Sequence, residues 1–117
     1  GPFHSELMRP AASKLQQALD QLELHNTDVP VISNVTASPV TTAEEMKELL
    51  VQQLYSPVRF EESIRHLMDL GVNTFIECGP GKVLSGLVKK IDRSAVIYAA
   101  YDLETIEQVI EASKEWS

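Results

Sequence analysis

The sequence predicts an α/β fold with a mostly parallel sheet. Three short apolar segments typical of strands alternate with amphipathic segments of roughly 10 to 15 residues, an alternation that builds parallel sheets with crossover helices. The composition is that of a globular protein: 117 residues are 44% hydrophobic and 23% charged. A chain of this length buries enough surface to fold without disulfides, and the single Cys78 has no internal partner.

The charge balance excludes some functions. The net charge is −7, which argues against a general nucleic-acid binder because such proteins need clustered Lys and Arg. The sequence has neither a signal peptide nor an apolar run near 18 residues, and it carries one cysteine. We therefore expect a cytoplasmic protein that acts neither on nucleic acid nor in a membrane.

The first elements are predicted by apolar periodicity. Apolar residues at helical spacing predict a helix over residues 9–24, with Pro10 in its first turn. The β-branched run at 29–35 is too short for a helix and predicts a buried strand. Pro39 is expected to end regular structure beyond it.

Two helices follow, each with a boundary signal. Thr42, three residues before Glu45, predicts a capping box at the start of a helix that must end before Pro57. A second apolar stripe covers 60–70, and Gly71 stands where a helix C-terminus requires a left-handed residue.

The second half repeats the strand–helix pattern. Strands are predicted at 73–78 and 95–100, joined by a glycine turn and a helix over 83–91, and an acidic amphipathic helix covers 103–113. Three short apolar strands leave open sheet edges, so the chain is expected to be part of a larger sheet.

The turn at 79–81, followed by Lys82, lies between a strand and a helix, where phosphates are often bound. Its glycine spacing matches neither the P-loop nor the dinucleotide fingerprint, and Pro80 removes a backbone N–H. We interpret the segment as a tight turn, with a nucleotide loop as the alternative.

Cysteine and histidine offer few further sites. Cys78 could be a nucleophile, but its apolar and glycine neighbours favour a small buried side chain. His4, His25 and His66 are far apart and fall in no metal-binding pattern, so no metal site is expected. His25 and His66 are predicted to be solvated.

Four blocks resemble one family in order along the chain. They are GPFHSELMxPA at residues 1–11, PVISNV at 30–35, LVQQLYSPVRF at 50–60 and FIECGPGKVLSGL at 75–87. Together they resemble malonyl-CoA:acyl carrier protein transacylases and the related acyltransferase domains of fatty acid and polyketide synthases. The resemblance implies part of an α/β-hydrolase-like parallel sheet with flanking helices.

The resemblance also implies roles for individual residues. His4 would be the general base for a serine nucleophile, and the main-chain carbonyl of Gln53 would accept a hydrogen bond from its other ring nitrogen. Phe3 would narrow the acyl pocket in favour of malonyl groups. No cofactor is implied, since coenzyme A enters as the thioester substrate.

The implied reaction moves malonyl from coenzyme A to the phosphopantetheine thiol of acyl carrier protein through an acyl-serine. The family's serine elbow is missing, so residues 1–117 are predicted to be the C-terminal portion of a single catalytic domain, without internal boundary. The expected partners are malonyl-CoA, acyl carrier protein and an upstream portion carrying the serine. The isolated chain is expected to be inactive. Two alternatives are a fragment of a multienzyme synthase and a non-catalytic scaffold or binding domain.

Overall fold

The structure is a computed structural model that describes residues 1–116. It comprises two compact units, residues 1–66 and the part of the chain from Leu67 onward. In chain order the elements are a 3₁₀ helix (Glu6–Ala11), α1 (Ala12–Asp20), β1 (Val31–Ile32), β2 (Pro39–Val40), α2 (Ala43–Gln53), α3 (Phe60–Asp69), β3 (Thr74–Cys78), α4 (Val83–Ile91), β4 (Val96–Ala100) and α5 (Leu103–Ser113).

The first predicted helix divides into two elements. Instead of one helix over 9–24, the chain forms the 3₁₀ helix around Pro10 and then α1. Proline cannot donate a backbone hydrogen bond, so the α-helical ladder begins after it. Helix α1 packs against α2, and Leu19 and Leu49 are buried in this unit, whereas Leu22 lies beyond the end of α1 and is exposed.

The expectation of a buried strand over 29–35 in the parallel sheet is wrong. Strand β1 pairs antiparallel with β2, Val31 opposite Val40, and Val31 is exposed. The chain reverses between them: the Ser33 N–H donates to the Ser38 carbonyl at 3.1 Å, and the Ala37 N–H to the Ser33 carbonyl at 2.8 Å. Because the reversal is tight, β1 pairs with the residues just beyond it in sequence rather than with a distant strand.

Pro39, expected to end regular structure, is the first residue of β2 and pairs with Ile32. Proline has no N–H to donate, and strands tolerate it where one edge lies outside the ladder. A two-stranded ladder of two residues per strand meets that condition. The apolar residues around β1 therefore form a hairpin rather than a sheet interior.

The boundary signals of α2 and α3 are confirmed, the capping box in the half that Thr42 supplies. Thr42 caps α2, its hydroxyl oxygen accepting from the Glu45 N–H at 3.3 Å, and α2 ends before Pro57. After α3, Gly71 has φ +96°, its N–H donates to the Met68 carbonyl at 2.9 Å, and the next residue bonds Leu67 at 3.0 Å. That pair of bonds is a Schellman motif, which needs the left-handed residue that glycine supplies.

The second unit is a β–α–β unit followed by α5. Strands β3 and β4 are parallel, with Thr74 opposite Val96 and Cys78 opposite Ala100. The predicted fold class, a parallel sheet with flanking helices that is only part of a larger one, is confirmed. Within residues 1–116 this sheet has two strands rather than the three expected.

One face of β3 is uncovered. Ile76 and Cys78 lie two residues apart, hence on the same face, and both are exposed. The prediction that Cys78 is a small buried side chain is therefore wrong for this chain. Burial requires a neighbouring layer, and this face of β3 has none, since Ile76 and Cys78 are exposed.

Candidate active site

His4 occupies an unusual backbone position. Its φ is +61°, in the left-handed region that few residues other than glycine adopt. Its backbone N–H donates to the carbonyl oxygen of Leu54 at 3.1 Å, which joins the beginning of the chain to the end of α2. Strained backbone of this kind persists only where surrounding interactions hold it.

The His4 side chain is held at the same place. Its Nδ1 lies 2.9 Å from the carbonyl oxygen of Gln53, the last residue of α2. A carbonyl oxygen only accepts, so Nδ1 carries the proton of this bond and the neutral ring keeps its lone pair on Nε2. This tautomer leaves Nε2, on an exposed side chain, able to take a proton from another group.

The end of α2 explains why two consecutive carbonyls are available. The N–H groups of Leu54 and Tyr55 bond the Val51 and Gln52 carbonyls, each at 3.2 Å, so the last turn tightens to the three-residue spacing. The next two carbonyls, of Gln53 and Leu54, lack continuing helix to bond them. Both accept from His4.

A mostly apolar groove lies beside the same helix end. It has a volume of about 250 Å³. Its walls come from β1, β2, the connection between them and α2: Val31, Ile32, Ser33, Asn34, Val40, Met46, Leu49, Leu50 and Gln53. Gln53 thus both bonds His4 through its carbonyl and lines the groove.

The structure brings His4 and Gln53 together. Phe3 directly precedes His4 in sequence and is 69% exposed. Sequence reasoning from the residues alone favoured an ordinary polar helix position for Gln53. Only the resemblance predicted its carbonyl contact, and whether these three residues act in catalysis or substrate binding stays a prediction.

At the glycine turn of the second unit, the carboxylate of Glu77 bonds the start of the following helix. Gly79 and Gly81 have φ of +114° and +84°, and the turn leads into the start of α4. There the Glu77 carboxylate accepts from the Leu84 N–H at 3.2 Å, the Ser85 N–H at 2.9 Å and the Ser85 hydroxyl at 2.6 Å. These are the donors that a bound phosphate would use, so the geometry favours the tight turn over the nucleotide loop.

The hydrogen bonds also change the chemistry of Glu77. The Ser85 hydroxyl, then the backbone N–H groups of Ser85 and Leu84, hold the pKa of the Glu77 carboxyl below its ordinary value. Sequence reasoning missed this residue. The available signal was an acidic residue one position before the strand end, followed by a glycine turn and a helix N-terminus, where negative charge is stabilised.

The other candidate side chains do not join the site. His25 is exposed as expected, while His66 is half-buried. No group of three or more His, Cys, Asp or Glu within residues 1–116 is arranged to hold a metal ion. In the same residues no helix is long and apolar enough to cross a bilayer.

With this geometry established, comparison with known proteins identifies the class. The chain belongs to the acyl transferase domain family, which matches residues 2–110. Among curated relatives, the malonyl CoA-acyl carrier protein transacylase of Bacillus subtilis is 60% identical over 115 residues, covering 98% of this chain and 36% of the relative. The predicted resemblance is confirmed.

Solved structures agree. The acyl-carrier-protein-S-malonyltransferase of Bartonella henselae aligns with a TM-score of 0.90 and 39% identity over 95% of this chain and 35% of that protein. A malonyl-transacylase in complex with its type II PKS acyl-carrier protein aligns with a TM-score of 0.88 and 37% identity over 95% of this chain and 36% of that one. The chain therefore spans about a third of the length of these relatives.

Proposed function

We propose that this chain is the histidine-bearing portion of a malonyl-CoA:acyl carrier protein transacylase. The complete enzyme would move a malonyl group from coenzyme A to the phosphopantetheine thiol of acyl carrier protein. The observation that carries the proposal is the 2.9 Å contact between His4 Nδ1 and the Gln53 carbonyl, because it selects the tautomer of a general base. The activity of the relatives, as their names state it, supports the substrate and the acceptor.

The proposed reaction has two half-reactions. In the first, His4 Nε2 takes the proton of a serine hydroxyl as the serine oxygen attacks the malonyl thioester carbonyl. The carbon–sulfur bond breaks, coenzyme A leaves as its thiol with the proton from His4, and malonyl-serine remains. In the second, the carrier thiol gives its proton to His4 and attacks the ester, and the serine oxygen recovers that proton.

Each residue of the site has a part in this proposal. His4 is the catalytic base and acid, and Gln53 acts on His4 through its main-chain carbonyl. Phe3, the residue before His4, is proposed to line the acyl pocket and narrow it. The chemistry uses the coenzyme A thioester as substrate and requires neither a metal nor a redox cofactor.

The serine and the rest of the pocket are proposed to come from an upstream portion of the same enzyme. The chain matches about a third of its relatives' length, which supports this. The exposed apolar side chains support it too, because packing them against an upstream portion would remove their apolar surface from water. In the first unit that surface includes Phe3, Leu7, Leu22, Val29, Val31, Leu50 and Val58. The cytoplasm, the site of the expected substrates, is the proposed location.

A chimaera tests the proposal. In it this chain replaces the matching 115 residues of the Bacillus subtilis relative, and transfer of radiolabelled malonyl to acyl carrier protein is measured. The chimaera should transfer malonyl, whereas the 117-residue chain alone should not. In the chimaera His4→Ala should lower kcat/KM by ~10⁴- to 10⁶-fold, because the members of such a catalytic unit act together.

The matched control is His25→Ala, which removes an exposed histidine from the same unit and should leave kcat/KM unchanged. A loss below tenfold for His4→Ala, with the chimaera folded, would remove His4 from the mechanism. Malonyl transfer by the isolated chain would contradict the need for an upstream serine.

A further inference from the structure

A second contact joins the segment after His4 to the end of α2. The Arg9 guanidinium lies over the ring of Tyr55, with 4.1 Å between its central carbon and the ring centroid. That distance is within the range of a cation–π interaction. Tyr55 directly follows Gln53 and Leu54, whose carbonyls bond His4. The end of α2 therefore contacts the segment at two residues, His4 and Arg9.

Arg9 is itself oriented by Glu6. Its Nε donates to Glu6 Oε2 at 2.7 Å and its Nη2 to Glu6 Oε1 at 2.8 Å, the two-pronged geometry that fixes the plane of a guanidinium. The hydrogen bonds raise the pKa of Arg9 and lower the pKa of Glu6, so both groups stay charged through the neutral range. The two bonds to Glu6 hold the guanidinium in place over the Tyr55 ring.

Little else anchors this segment. The 3₁₀ helix that follows His4 has no buried residue, and Phe3, His4 and Leu7 are exposed. Apolar packing therefore contributes little at the very place where the His4 backbone holds a left-handed conformation. Directional polar contacts must supply the order that burial does not.

We propose that Glu6, Arg9 and Tyr55 form a strap that positions His4 against the Gln53 carbonyl. The strap keeps the 3₁₀ helix on the end of α2 and so maintains the Nδ1 hydrogen bond that leaves the lone pair on Nε2. Arg9 and Tyr55 are positioning residues, since they act through His4. The inference rests on the proposed function and extends it to residues with no assigned role.

The test is a double-mutant cycle in the chimaera defined above, with Arg9→Ala, Tyr55→Leu and the double variant. An exposed cation–π contact corresponds to roughly a two- to fivefold effect, so each single variant should lower kcat within that range with KM unchanged. The double variant should be no worse than either single one, because both remove the same contact. Tyr55→Phe keeps the ring and should retain parental kcat.

A second readout follows the histidine itself. In the parent, ¹⁵N chemical shifts of the His4 imidazole, measured at a pH where the ring is neutral, should report protonated Nδ1. In Arg9→Ala they should move towards the tautomer mixture of a free histidine. A merely stabilising role for Arg9 would leave these shifts unchanged.

Arg65→Ala is a closely matched control. Arg65 is 58% exposed and pairs with a glutamate 3.3 Å away, much as Arg9 is 57% exposed and paired at 2.7 Å. It should leave both kcat and the His4 shifts unaltered. If Arg9→Ala changes kcat by less than twofold and leaves the shifts as in the parent, or if the cycle is additive, the strap is refuted. His4→Ala in the same chimaera tests the proposed function separately.

Discussion

The backbone contact at Gln53 makes a prediction that side-chain reasoning would not. Gln53→Ala removes the amide but keeps the carbonyl that lies 2.9 Å from His4 Nδ1. Alanine and glutamine both favour helix, so the last turn of α2 should be preserved. We expect kcat in the chimaera to fall by no more than about threefold, whereas His4→Ala removes the base altogether.

Two further substitutions at the same position should lower kcat more, the further each one displaces the carbonyl. Gln53→Gly loosens the last turn by about 1 kcal/mol and should lower kcat about fivefold. Gln53→Pro pushes the preceding residue out of the α region, which moves the carbonyl, and a displacement near 1 Å costs ~100-fold. From the most to the least active, we therefore expect the parent, Gln53→Ala, Gln53→Gly, Gln53→Pro and His4→Ala.

The assay is steady-state malonyl transfer to acyl carrier protein, from which kcat is obtained, with circular dichroism as the check on folding. Gln52→Ala is the control, since the carbonyl of Gln52 bonds within the helix end rather than to His4. If Gln53→Ala abolished transfer in a folded protein, the side-chain amide would have a direct role. If Gln53→Pro were as active as the parent, the carbonyl would not position His4.

Two predictions concern the second unit, each measured as the urea midpoint of the chimaera. Gly71→Ala should destabilise by about 1 to 2 kcal/mol because φ is +96° there, while Gly86→Ala, within α4, should stabilise by about 0.5 to 1 kcal/mol. A Cβ at either glycine meets nothing within 4 Å, so opposite changes in stability would come from the backbone conformation alone. If both substitutions changed stability in the same direction, this argument would be contradicted. The lowered pKa of Glu77 means that its stabilising contribution is present above its ordinary value of 4.5 and is lost as pH falls through the folded value. Glu77→Gln should therefore lower the midpoint at pH 7, and the gap to the parent should narrow as pH falls below 4.5, whereas a gap independent of pH would exclude a role for the charge.

Local signals predicted the helices from α2 onward well, whereas the single helix expected over 9–24 divides into two elements. The side-chain cap at Thr42 and the glycine at position 71 lie within a few residues of the backbone groups they satisfy. Periodic apolar residues similarly marked α4 and α5 to within a residue or two. Such interactions depend on sequence neighbours, so they can be read before the fold is known.

Pairings across the chain could not be predicted in this way. The segment around Val31 has the composition of a buried strand, yet the reversal at 33–38 pairs it with β2. Cys78 has the neighbours of a buried residue, but burial depends on a layer over β3, and Cys78 is exposed in the part of the chain that the structure describes. Composition indicates what a segment prefers, whereas tertiary structure decides what covers it.

The candidate site divides along the same line. The sequence by itself determined the family, through four motif blocks, and with it the expectation that His4 and Gln53 meet although 49 positions separate them. Only the tertiary structure decided the left-handed backbone of His4, its second bond to Leu54 and the stacking of Arg9 on Tyr55. Those contacts depend on where a helix happens to end in space, and hydrogen bonds and cation–π contacts reach only a few ångströms. A linear sequence states which groups exist, and the fold alone brings them within that reach.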